Sequence, residues 1–247
     1  MKEIKIDINC DVGEGIGNET ELLPFISSCN IACGGHAGDE ASMLQITKLA
    51  KKYNVLVGAH PSYPDKDNFG RFSIDIGPDM LIESIQSQIK SLLNILHIEK
   101  VPMHHIKAHG ALYNDLAKSR KLALVFLDAI KEYKNTVVLY APGKSTVAKE
   151  AMKQGFSVVY EAFADRNYNN DLNLVSRKMP NAVLNDPKEV LEILVKMVKE
   201  HRLKTIGGCM LDIEASTYCL HGDNPNALQI LTYLSEELPK QNILIKR

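Results

Sequence analysis

Six stretches of the sequence end in side chains that can move protons, hold an anion or ligate a cation. The first is Lys5-Ile6-Asp7-Ile8-Asn9-Cys10-Asp11-Val12-Gly13-Glu14-Gly15, where Asp7, Asn9 and Asp11 recur at every second residue and Glu14 follows between two glycines. The others carry Asn30 and His36; His60; His105, Lys107 and His109; Glu161, Asp165 and Arg166; and His221 with Asp223. Carboxylates held close together push one another's pKa values apart, which yields an acid and a base in one site. Histidines exchange protons near neutral pH, and Lys107 or Arg166 can hold a substrate carboxylate or steady a developing oxyanion. These residue types point to hydrolysis or proton transfer on a small, anionic, carbonyl-bearing molecule. Each member has a plainer reading when taken singly. The first stretch alone reads equally as an edge strand with a solvated face, His60 before Pro61 as a loop or core histidine, and Lys107 as a surface lysine.

Three more specific chemistries compete. His105-x-x-x-His109 with Asp7 or Asp11 is a possible ligand set for a divalent ion, as in metal-dependent amide hydrolases. Two histidines four residues apart on one strand lie about 13 Å apart, so a single ion reaches both only if the strand bends. Ala141-Pro142-Gly143-Lys144-Ser145 resembles the end of a phosphate-binding loop, but Val138 stands where the first glycine is required. Lys144 and Ser145 are therefore expected simply to start a helix. No Gly-x-Ser-x-Gly elbow occurs, and the cysteines fall in apolar strands without a helix start behind them, so a covalent serine or thiol mechanism is unsupported.

The elements that must position these residues alternate along the chain. Ile4, Ile6 and Ile8 alternate with polar residues in the first strand, and residues 18–28 read as a polar loop or short helix. A strand over 29–33 leads to Gly34-Gly35-His36-Ala37-Gly38 and a helix capped by Asp39 that runs to about Tyr53. Strand 55–59 ends in His60-Pro61, and a long loop containing Arg71 follows. Leu81, Ile85, Ile89, Leu92 and Leu96 define a helix over 79–97. Further strands are expected over 101–108, 136–140, 157–163, 182–184, 205–206, 217–220 and 243–245. Helices are expected over 119–133, from Ser145 to a C-terminal Gly155, from a capping box at Asp186 and Glu189 to about Arg202, and over 226–238. Strand–helix alternation implies parallel strands with helical crossovers. Seven or eight units in 247 residues fit a single (β/α) barrel domain over 1–247 better than an open doubly wound sheet. In such a barrel the strand ends converge on one face, and a shared site follows.

Bulk properties narrow the class. Apolar residues are 45% and charged residues 24% of the chain, an ordinary globular composition, and the net charge of −1 provides no field for recruiting nucleic acid or an acidic membrane. Five cysteines without a paired ligand spacing read as reduced thiols rather than a cysteine zinc site. The N-terminus lacks a signal-peptide core and no apolar run reaches the ~20 residues of a membrane span, so a soluble cytoplasmic protein is expected. Self-association into a homo-oligomer is left open.

The stretches already quoted carry a further signal. Asp7 to Gly15, Asn30 to Asp39, His60-Pro61-Ser62-Tyr63-Pro64-Asp65, Asn68-Phe69-Gly70-Arg71, His105 to Asn114, Glu161 to Arg166 and Cys219-Leu220-His221-Gly222-Asp223-Asn224-Pro225 resemble, in order, the LamB/YcsF family. The likeness spans residues 4 to about 225. Ala108 stands where that family usually has proline, and Gly35 where it has a bulkier residue, often phenylalanine. The resemblance implies a glycoside hydrolase/deacetylase-like (β/α) barrel. It also implies a place as the A component in the ATP-dependent opening of the 5-oxoproline (pyroglutamate) lactam to L-glutamate, with separate B and C subunits. ATP is then the expected cofactor, handled through the complex, which agrees with the missing phosphate loop. Phosphorylating the carbonyl oxygen of a resonance-stabilised lactam would supply a leaving group and let water attack. Under this resemblance Asp7, Asp11, Glu14, His36, His60 and His109 are the expected catalytic groups. Asp11 or Glu14 with His60 or His109 would handle protons. Asn9, Asn30, Arg71, Lys107, Glu161, Asp165, Arg166 and His221 are the expected substrate contacts, and no metal ligand is assigned. Two alternatives stand beside it: a metal-dependent deacetylase or amidase acting without ATP, and a non-catalytic subunit that only presents a lactam to its partners.

Overall fold

The structure, a computed structural model, describes residues 3–247. Its strands are β1 (Ile4–Val12), β2 (Ser28–Ala32), β3 (Leu56–His60), β4 (Met103–Lys107), β5 (Val138–Pro142), β6 (Ser157–Phe163), β7 (Arg202–Lys204), β8 (Met210–Asp212), β9 (Thr217–Cys219) and β10 (Ile243–Ile245). The helices are α1 (Glu19–Leu22), α2 (Glu40–Tyr53), α3 (Pro78–Glu99), α4 (Gly110–Lys118), α5 (Arg120–Ala129), α6 (Thr146–Lys153), α7 (Pro187–Glu200) and α8 (Ala227–Glu237).

Strands β1 to β6 and β9 are parallel neighbours in chain order. The barrel closes where β9 pairs back onto β1, with Thr217 beside Asp7 and Cys219 beside Asn9. β10 continues the sheet along the first residues of β1, Ile243 to Ile245 lying beside Ile4 to Ile6. Seven strands thus close the barrel and an eighth extends its sheet, as the strand–helix alternation predicts.

The two faces of the barrel wall have opposite chemistry. Outward residues Ile6, Ile8, Cys10, Ile31, Val57, Ile106, Leu139 and Ala162 are buried under the helices. On α3, Leu81, Ile85, Ile89, Leu92 and Leu96 are at most 1% exposed, each contributing about 1.5–3 kcal/mol of apolar burial. The inward residues are mostly polar. Register aligns Asp7, Asn9 and Asp11 of β1 with Ser28 and Asn30 of β2, then Gly58 and His60 of β3, His105 and Lys107 of β4, Tyr140 of β5, and Glu161 of β6. A parallel barrel is ordinarily filled with branched apolar side chains, so a polar lumen is a cost that only satisfied hydrogen bonds can offset. Gly58 makes room for one of them: a Cβ there would overlap the His105 ring.

Several local expectations are corrected. The helical span 119–133 is only α5 plus a 3₁₀ turn over 131–133, and α4 precedes it unannounced. Ser119 separates the two helices, its hydroxyl accepting from the Leu122 N–H, and the polar residues of α4 hid its buried face of Ala111, Leu112, Tyr113 and Leu116. Residues 205–206 form no barrel strand. They sit at the turn of the antiparallel β7–β8 hairpin. Residues 182–184 give only a bridge between Val183 and Arg166. Asp186 caps α7 by accepting from Lys188 N without a reciprocal bond from Glu189, whereas the capping box forms at Asp39 and Ser42 of α2. The bulkier residue common at position 35 would meet Gln88 and Ser62, which close over Gly35 here. Among the described residues no helix is long and apolar enough to cross a membrane.

Candidate active site

The lumen is wired from the bottom upward. Near the middle of β1, Asp7 accepts from Ser28 Oγ at 2.9 Å and from Thr217 Oγ1, and burial raises its pKa despite those bonds. One layer up, Asn9 donates to Glu161 Oε1 at 2.9 Å and to Thr217 Oγ1 at 2.7 Å. Asn30 donates to Asn9 Oδ1 and Asp11 Oδ1, both at 2.7 Å, and its own carbonyl oxygen lies 2.7 Å from His105 Nε2. His105 stacks on Tyr140 at 4.0 Å between ring centroids, and burial holds its pKa well below the usual imidazole range.

Lys107 is the centre of this network. Its side chain is fully buried, and Nζ reaches Asp11 Oδ1 at 2.9 Å, Glu161 Oε1 at 2.9 Å, Asn9 Oδ1 at 3.2 Å and Cys219 Sγ at 3.1 Å. Burial disfavours the ammonium, but the Asp11 and Glu161 carboxylates outweigh it and raise the pKa, so Lys107 is charged. An ammonium with its donors spent on two carboxylates is a clamp for Asp11 and Glu161 rather than a free anion grip. Burial also opposes the charge on Asp11, yet His60 and Lys107 prevail and hold its carboxyl well below the carboxylate range.

The histidines gather above Asp11. Glu14 Oε1 lies 3.0 Å from His36 Nε2, 3.3 Å from His109 Nδ1 and 3.9 Å from His60 Nε2. His60 Nε2 is also 3.5 Å from Asp11 Oδ1. His36 lies flat on His109, with centroids 3.5 Å apart and planes 1° from parallel. Burial depresses the His36 pKa to about 3, and Glu14 only partly counters it. For Glu14 burial again opposes ionisation, but its polar contacts with His109 and His36 prevail and keep it a carboxylate. β1 delivers Asp11 and the turn at Gly13 delivers Glu14. β3 ends on His60, and His109 is the residue before α4, placed there by its N–H to the Pro61 carbonyl at 2.9 Å.

A third group closes the other side. Asp165 accepts from His221 Nδ1 at 2.8 Å, from the His221 N–H at 3.1 Å and from Asn224 Nδ2 at 3.1 Å. His221, Asp11 and Cys219 bring ligand-type atoms within 4.8 Å of one another. A histidine whose Nδ1 is held by a buried carboxylate has its other nitrogen free for proton transfer. At the rim Arg71 and Arg177 both pair with Asp223, at 2.8 and 2.7 Å.

Asp11, Glu14, His36, His60, His109, Asp165 and His221 therefore meet in one cluster at the C-terminal strand ends, with Asn9, Asn30, Lys107 and Glu161 beneath it. Asp7 does not join them, because four residues of strand separate it from Asp11 by about 13 Å. His105 and His109 likewise part company, the first inside the lumen and the second beyond the strand. Arg166 is drawn elsewhere: its Nε and one terminal nitrogen donate to the Ala182 and Val175 carbonyls, bracing the loop between β6 and α7. Arg177 and Thr217 had no signal in the sequence; Asn224 and Phe69 lie in stretches that resemble the family, but neither was expected in the site, where the Phe69 carbonyl lies 3.0 Å from His109 Nε2. Arg177 and Asn224 sit in irregular segments, Phe69 acts through its backbone, and Thr217 acts through its hydroxyl at the start of β9.

The family model described as LamB/YcsF family matches residues 6–247. The chain is 40% identical to a protein of Thermococcus sibiricus named as the A component of 5-oxoprolinase, covering 98% of this chain and 97% of the other. A Staphylococcus aureus protein of the same name is 40% identical, with 98% and 99% covered. The crystal structure of a lactam utilization protein from Thermus thermophilus superposes with a TM-score of 0.91 at 33% identity, covering 98% and 99% of the two chains. A match of this length places the chain in the LamB/YcsF family.

Proposed function

We propose that this chain is the A component of an ATP-dependent 5-oxoprolinase, a hydrolase that opens the lactam of 5-oxoproline to L-glutamate together with B and C subunits. The observation that carries the reading is the convergence of two ionised carboxylates, Asp11 and Glu14, with four histidines in one mostly buried cluster. The names of the relatives support it, and their designation as one subunit of an enzyme supports a multi-chain assembly. A lactam resists water because nitrogen donates into its carbonyl. Transfer of the γ-phosphoryl group of ATP to the carbonyl oxygen, leaving ADP, removes that resistance. Water then adds to the carbon, and the C–N bond breaks as nitrogen takes a proton, which gives an acyl phosphate. A second water releases phosphate and glutamate.

This chain's residues suit the proton steps. Asp11, held ionised by Lys107, takes a proton from the attacking water, and His221, oriented by Asp165, supplies one to the departing nitrogen. Arg71 and Arg177 at the rim can exchange Asp223 for the substrate carboxylate. No nucleotide grip is built into the sequence, so the phosphoryl donor is assigned to the partners.

Reconstitution of the three subunits, with and without ATP, tests the reading. Glutamate release is expected only with all three subunits and ATP. Asp11→Asn is expected to lower that release by about 10²-fold or more. A mixture that works equally well without this chain refutes the family role. Glutamate release that survives Asp11→Asn refutes the assignment of Asp11, and the chain then only presents the lactam. Lactam or amide hydrolysis by this chain alone, without ATP, would establish the independent amidase instead.

A further inference from the structure

The turn after β1, the end of β3 and the start of α4 bring three acceptor-type atoms within 4 Å of one another. His60 Nδ1 lies 2.8 Å from the Lys107 carbonyl. A carbonyl only accepts, so Nδ1 carries the hydrogen, and in the neutral imidazole, the form that ligates a metal, Nε2 is then bare. His109 Nε2 faces the Phe69 carbonyl at 3.0 Å, which leaves Nδ1 bare by the same logic. These two bare nitrogens are 3.0 Å apart, and the Glu14 carboxylate oxygen is 3.3 Å from one and 3.9 Å from the other. Three acceptors cannot satisfy each other. Atoms with these separations share a point about 2.0 Å from all three, the length of a zinc bond to an imidazole nitrogen or a carboxylate oxygen.

We propose that Glu14, His60 and His109 form a binding site for a divalent transition-metal ion of the zinc type. The rings of His60 and His109 stand 85° apart, as two ligands on different vertices would. His36 belongs to the same cluster but lies parallel to His109, so its in-plane lone pair cannot aim at that point. It steadies Glu14 instead. Asp11 Oδ1 is already taken by Lys107 and Asn30, which makes it a neighbouring charge and not a ligand. Backbone carbonyls behind both histidines supply the outer-shell hydrogen bonds that fix ligand tautomers. One of them comes from Phe69, which adopts φ 57°, a left-handed conformation uncommon for an aromatic residue. Three protein ligands leave a coordination position for water or a substrate oxygen.

The test reads metal binding and not turnover, so it stands or falls independently of lactam opening. The full chain, stripped with chelator, is titrated with Zn²⁺ by calorimetry and with Co²⁺ by visible absorbance. One equivalent per chain is expected, with the intense d–d bands of four-coordinate Co²⁺. Glu14→Gln and His109→Gln should each weaken binding by more than about tenfold while circular dichroism stays that of the parent. His97→Gln, on the exposed side of α3, should leave both signals unchanged. Absence of stoichiometric binding to the parent chain overturns the proposal. So does an affinity that survives both ligand substitutions, and so does a weak octahedral Co²⁺ spectrum.

Discussion

At the scale of single residues, Lys107 shows how a buried charge is tolerated. Its ammonium is accepted into the lumen because Asp11 and Glu161 each approach within 2.9 Å and Asn9 adds an amide oxygen. Removing one member of such a set leaves uncompensated charge in a low-dielectric interior, which is far costlier than losing the pair together. Lys107→Met is therefore expected to destabilise the fold by about 3–5 kcal/mol, read from the urea midpoint, and to abolish activity in the reconstituted complex. A near-normal midpoint would mean that water replaces the ammonium. The cysteines tell the opposite story. Burial raises the pKa of Cys10, Cys29, Cys33 and Cys219, so these thiols stay protonated, in keeping with the lack of any sequence signal for a thiol nucleophile.

At the scale of elements, Asp165 clasps the segment after β6 to the segment after β9. It receives two hydrogen bonds from His221 and one from Asn224, which in turn donates to the Leu184 carbonyl. Burial opposes its charge, but His221 and these bonds prevail and lower its pKa below the ordinary 3.8. A carboxylate with a depressed folded-state pKa stabilises the protein above its unfolded value, and that contribution disappears as pH falls through the folded value. Unfolding midpoints measured across pH should fall from about 4 downward. In Asp165→Asn the midpoint should be lower at neutral pH and that acid limb flatter. An unchanged acid limb would show that the clasp does not carry charge.

For the whole molecule, closure of the barrel rests on β1, which serves three neighbours. Its first residues pair with β10, its middle with β9 and its last four with β2. β10 is only three residues long, yet Ile243 is completely buried and Ile4 N–H bonds to the Asn242 carbonyl at 2.9 Å. Ile243→Ala should cost about 2–5 kcal/mol and lower the melting temperature by roughly 2–4 °C for each of them, measured by circular dichroism. A melting temperature that does not move would mean that β10 adds nothing to closure.

Local periodicity alone determined that the chain alternates strands with helices, and that Asp7, Asn9 and Asp11, like His105 and Lys107, share a face. Period-two alternation is a property of neighbouring residues, so it is readable without knowing what lies across the barrel. The convergence on one face follows from parallel order, because every strand then ends at the same rim. Tertiary structure decided which of those residues meet. The height of each along its strand separated Asp7 from Asp11 and His105 from His109. The loops decided the rest through bonds between distant segments. The Pro61 carbonyl fixes His109, the Gly70 carbonyl accepts from Ala111, and carbonyls of the loop between β6 and α7 capture Arg166 while Arg177 comes to the rim. The tautomers that leave His60 and His109 bare toward Glu14 depend on two backbone oxygens, Lys107 and Phe69, and a backbone oxygen is the same in every residue type. Side-chain identity announced the chemistry; the path of the backbone chose its geometry.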